Sequence, residues 1–159
     1  AATGAVVGAA IGGVSGYYIA KKQKHYASEE ARIDSMIADV KATNADLETY
    51  IAAVKDYVER STAKAKILKE QMREDKITRD ELDAQFARID KQRINMVASL
   101  ESLKEKKDGY LHAVEEQKNV SGEKSVAELD GEIKALAKQI DTLEVHIAEL
   151  DKVLEVKQV

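Results

Sequence analysis

From Ile33 onward, seam residues recur four and then three positions apart without a slip: Ile33, Ile37, Val40, Asn44, Leu47, Ile51, Val54, Val58, Ser61, Ala65, Leu68 and Met72. A mean spacing of about 3.5 residues keeps one stripe of a helix turned toward its neighbours, so the pattern predicts a long coiled-coil helix over residues 27–73. Met36, Tyr50 and Tyr57 stand beside the stripe and widen it, which favours packing against two helices rather than one. Asn44 occupies a seam position. A buried amide needs a partner and loses it when helices misalign, so Asn44 reads as a register residue; a polar residue tolerated at a wet part of the bundle fits the same position.

The stripe stops at Arg73-Glu74-Asp75-Lys76, and Ile77-Thr78-Arg79-Asp80-Glu81-Leu82 then carries the signs of a helix start. Thr78 and Glu81 form a capping box, and Ile77 with Leu82 supplies the hydrophobic staple across it. A short break before a capped helix predicts an antiparallel hairpin. The second helix, over 79–119, has its own series: Leu82, Phe86, Ile89, Arg93, Met96, Leu100, Leu103, Lys107, Tyr110 and Val114. Arg93 and Lys107 interrupt it at positions expected to be partly exposed, with packed stems and hydrated heads, and Gly109 is a point where the helix can loosen. Asn119-Val120-Ser121-Gly122 reads as a turn, and Ser125 with Glu128 repeats the capping signature.

The third helix, over 125–157, is the cleanest: Val126, Leu129, Ile133, Leu136, Ile140, Leu143, Ile147, Leu150 and Leu154. Ile alternating with Leu is the choice of two parallel strands, so this helix could pair with its copy in another chain. Short connections favour packing on its own hairpin instead. The expectation is an all-α fold: a long antiparallel three-helix coiled-coil bundle, with helices of about 70, 60 and 50 Å. The hairpin tip at 74–78 would then lie far from the N-terminus, and the second turn, near 119–124, would come back toward it.

Ahead of the bundle, Gly4, Gly8, Gly12 and Gly16 are spaced by four within a stretch free of charge to residue 20. On a helix they share one narrow ridge, and each costs about 1 kcal/mol relative to Ala. Close approach of two backbones is the physical return for that cost, as on the small-residue faces of membrane helices. Residues 1–20 would form a helix of about 30 Å, the thickness of a bilayer's hydrocarbon core. Tyr17 and Tyr18, followed by Lys21, Lys22 and Lys24, form an interfacial flank. The segment is only weakly hydrophobic, so spanning would need packing against copies of itself. Residues 1–22 are therefore expected to be a membrane and oligomerisation helix, with residues 23–159 as the elongated helical domain; a flexible Gly/Ala leader is the plainer alternative. Ala1 fits the small-residue side of a signal-peptidase cut.

Pro, Cys and Trp are absent, aromatics make up 4% and charged residues 34%. That is the composition of coiled coils, and it excludes disulfides and thiolate metal sites. The net charge of −4 mixes both signs, leaving no basic stripe for nucleic acid. His25, His112 and His146 are far apart and lack metal-ligand spacing; His25 sits in the basic flank, where it can touch headgroups, and the other two read as solvated. No nucleophile motif or phosphate loop is present, so no enzyme activity, metal or cofactor is expected.

The run Gly4-Ala-Val-Val-Gly8-Ala-Ala-Ile-Gly12-Gly13-Val-Ser-Gly16-Tyr17-Tyr18 resembles the glycine-zipper segments of bacterial envelope proteins, many of them outer-membrane lipoproteins. The likeness covers about 20 residues, and where such families often carry two hydrophobic passes this chain has one. It implies a membrane-associated envelope location, with the outer membrane or periplasm ahead of the inner membrane, and self-association. For an inner-membrane helix the flanking lysines would place the bundle in the cytoplasm.

The leading expectation is a structural, membrane-anchored homo-oligomer that offers a helical stalk to a protein partner in an envelope assembly. A conduit built from the zipper helices is an alternative, although Thr3 and Ser15 are the polar side chains available to line it, and liposome conductance would reveal it. A soluble coiled-coil adaptor is another. It would keep its location and binding when residues 1–22 are removed.

Overall fold

A computed structural model describes residues 29–117 and 123–156, which form three helices and no strand. Gly4, Gly8, Gly12, Gly16, Tyr17, Tyr18, Lys21, Lys22 and His25 lie outside the described residues, as does the expected turn at 119–122. The helices are α1 (Glu29–Arg73), α2 (Arg79–Gln117) and α3 (Glu123–Glu155). At about 1.5 Å per residue they are about 67, 58 and 50 Å long. α2 runs unbroken through Gly109, because one glycine costs less than the packing on either side of it returns. α3 begins two residues before Ser125, which therefore sits in the first turn and not at the cap.

Cross-helix pairs give the directions. Lys41 meets Glu128 and Asn44 meets Glu132, so residue numbers rise together and α1 runs parallel to α3. Arg93 meets Asp151 and Lys104 meets Glu144, so α2 runs antiparallel to α3. The bundle is thus up-down-up, but its packing is uneven. α3 lies against both other helices, whereas α1 and α2 touch only sparsely. The expected hairpin partners are antiparallel in direction, yet α3 fills the groove between them.

The cause lies in the stripes. Leu129, Ile133, Leu136, Ile140, Leu143 and Leu150 of α3 are all at most 2% exposed, a nearly continuous apolar face. Burying such a side chain contributes about 1.5–3 kcal/mol, so the arrangement covering α3 on two sides is favoured. α1 accommodates it by using both flanks of its stripe. Ile33, Val40, Leu47 and Val54 are fully covered, Met36 and Ile37 are both buried, and Tyr50 and Thr43 are buried in preference to Ile51 and Asn44. The Thr43 hydroxyl is satisfied locally, donating to the Asp39 carbonyl at 2.9 Å. In α2, Leu82, Phe86, Ile89, Met96, Leu100, Leu103, Tyr110 and Val114 are buried, while Arg93 and Lys107 stay half-buried.

The hairpin tip is built from two caps. At the end of α1, Asp75 takes a left-handed conformation (φ 54°), its N–H donates to the Met72 carbonyl at 3.2 Å, and the Lys76 N–H donates to Gln71 at 2.8 Å. These bonds make a Schellman turn with Asp where Gly is usual. At the start of α2 the capping box closes both ways: the Glu81 N–H donates to Thr78 Oγ1 at 3.1 Å, and the Thr78 N–H to Glu81 Oε2 at 2.7 Å. Ile77 is partly buried against the hydrophobic core, of which Leu82 is a member. Since the left-handed region costs a residue with a Cβ about 1 kcal/mol, Asp75→Gly should raise the urea midpoint by about that free energy. A lowered midpoint would mean that the Asp side chain itself holds the turn.

Candidate functional site

The densest polar arrangement between helices surrounds Asn44 in the α1–α3 seam. Its Nδ2 donates to the Glu132 carbonyl at 3.1 Å and to Glu132 Oε2 at 3.2 Å. From the other side, Gln139 Nε2 donates to Asn44 Oδ1 at 3.1 Å and to the Asn44 carbonyl at 3.3 Å. Glu132 and Gln139 are one heptad apart on α3, each just before a buried Ile, so the half-buried Asn44 sits between two successive rungs. One step along the edge, Lys41 Nζ reaches Glu128 Oε1 at 3.1 Å.

This layer discriminates between registers by the chemistry of its partners. Sliding α3 by one heptad would set Asn44 between Gln139 and His146, without the carboxylate, or between Ser125 and Glu132, without the amide donor. The observed setting provides both. A polar seam residue of this kind trades stability for register.

Ion pairs fasten the α2–α3 edge. Arg93 hydrogen-bonds Asp151, which raises its guanidinium pKa above the ordinary value, and Asp90 stands 3.7 Å away. Lys104 pairs with Glu144 at 3.0 Å, and that bond raises the ammonium pKa. On the α1–α2 side the groups are long and only partly matched. Burial pushes the Tyr50 phenol up, with Ser99 opposite it and pulling the other way. Lys106 is half-buried, and burial lowers its pKa against the pull of Asp39 and Asp46. Arg32, whose side chain is 16% exposed, stands 3.8 Å from Glu116.

An open cleft of about 380 Å³ lies where α3 ends, lined by Lys69, Met72, Arg73, Arg79, Leu82, Phe86 and Val156. Arg73 pairs with Glu70 at 3.3 Å and Arg79 with Asp83 at 3.4 Å. No carboxylate pair or nucleophile lines this cleft. Its cations lie near the carbonyl end of α3, which carries partial negative charge.

His112 is exposed, 3.4 Å from Glu116, but His146 is not the solvated residue expected, for its side chain is only 14% exposed and lies 3.6 Å from Glu149. It directly precedes the buried Ile147, at the margin of the α3 stripe. Among the described residues no cluster of three or more His, Asp or Glu could hold a metal ion, and no helix is long and apolar enough to cross a membrane. Compared with known proteins, the chain matches no family model, no curated protein and no solved structure.

Of the oligomerisation, membrane and register residues singled out in the sequence, Asn44 alone falls in the described part. Its partners Glu132 and Gln139 carry no signal of their own, since polar residues at that heptad position are ordinary; the parallel alignment is what brings them to it. Asn44→Leu should raise the thermal midpoint, by roughly 1 kcal/mol of stability, because it trades a polar seam residue for an apolar one. A fall of similar size would instead show that the hydrogen-bonded layer is itself net stabilising.

Proposed function

We propose that this protein is a structural, non-enzymatic element of a bacterial envelope, anchored and self-associating through its N-terminal glycine ridge and offering the bundle as a rigid scaffold. The carrying observation is the union in one chain of a charge-free segment with Gly4, Gly8, Gly12 and Gly16 in register and a long heptad bundle. The bundle's cross-helix ion pairs support the reading, since Lys41–Glu128, Arg93–Asp151 and Lys104–Glu144 lie along helix edges. Ridge contacts of this type act through close van der Waals approach, so side chains added there should abolish assembly without touching the bundle. The partner on this reading is another envelope protein, met along the stalk.

The test is the mass of the full-length chain in mild detergent beside a variant lacking residues 1–22. The expected result is a multimer that falls to monomer on truncation, with Gly8→Leu reproducing the loss. An unchanged mass would transfer assembly to the heptads and make a soluble adaptor the better reading.

A further inference from the structure

α2 is held less firmly than the helices on either side of it. Toward α3 its face is apolar at Phe86, Ile89, Met96, Leu100 and Leu103, but Arg93 and Lys107 break that face and remain half-buried. Toward α1 the sparse contacts run through the Tyr50 phenol opposite Ser99, through half-buried Lys106, and through Arg32 at 3.8 Å from Glu116, too far for a hydrogen bond. α1 and α3 share a longer seam, the Asn44 layer and the Lys41–Glu128 pair.

To leave the bundle a helix must break both of its interfaces. Release of α3 breaks the two extensive ones. Release of α1 breaks the most extensive one together with the sparse one. Release of α2 breaks the intermediate one and the sparse one, which is the smallest loss of close backbone approach. We infer that α2 is the first helix to open: the first sub-global opening unfolds α2, tethered to α1 and α3 at its two ends, and leaves α1 and α3 paired as a parallel two-stranded coiled coil. The Ile/Leu alternation of α3 suits that pair, since it is the residue choice of parallel dimers. The turn that ends α1 at Asp75 and Lys76 keeps its local bonds, because they are made to Met72 and Gln71 of α1. In the open state the apolar faces of α2 and of the α1–α3 pair are uncovered together, so the bundle has two states with different exposed surfaces.

Hydrogen exchange on the full-length chain at sub-denaturing urea tests this directly. The inference predicts that the slowest amides of α2 exchange about tenfold or more faster than those of α1 and α3, which open together. Leu103→Ala should speed exchange in α2 and leave the slowest amides of the other two helices within about twofold, whereas Leu136→Ala should speed all three. One common rate for the three helices, α3 opening first, or acceleration of all helices by Leu103→Ala would overturn it.

Discussion

The apolar stripe of α3 needs cover on two sides, and the rest of the bundle follows from that need. Six of its Leu and Ile residues are at most 2% exposed, a degree of burial that neither α1 nor α2 alone could provide. α1 takes one side in parallel, α2 takes the other in antiparallel, and the two are left with little to share. The first hairpin, α1 with α2, therefore has the sparsest interface, and α1 with α3, the pair most distant in sequence, the most extensive. Long-range contacts of this kind close only after the chain has turned twice, so the fold is carried by its last helix.

Electrostatics refine the alignment more than they hold it. The pairs Lys41–Glu128 and Lys104–Glu144 are substantially exposed, where water and salt screen such bridges and leave them little weight in stability. Asn44 is different in kind, because its amide is bracketed by an acceptor and a donor one heptad apart. What distinguishes this layer is its partner set, which changes when α3 slides. α1 and α2 approach each other closely at few places, so that face has the sparsest contacts among the described residues.

Much of this was legible along the chain. Thr78 and Glu81 declare the start of α2, and the seams of α2 and α3 fall almost wholly on buried positions, because periodicity reports which stripe is covered. Periodicity does not report what covers it. Thr43 and Tyr50 are more buried than the seam positions Asn44 and Ile51 because α1 meets two neighbours, which a single repeat cannot express. His146 is covered for a similar reason, at the margin of a stripe and not within it. The turn at Asp75 follows from a local φ that Asp tolerates but does not announce.

The proposed scaffold role draws on both halves of the chain, the glycine ridge for gathering copies and the bundle for reach. Its geometric premise is that α3 docks within its own chain, parallel to α1. Zero-length carbodiimide coupling of the unmodified protein, using an equal mixture of isotopically light and heavy chains, tests that premise. The account predicts amide bonds joining Lys41 to Glu128 and Lys104 to Glu144, each within chains of a single label. Cross-links joining light to heavy chains at these positions, or coupling between α1 and α2 with none to α3, would contradict it.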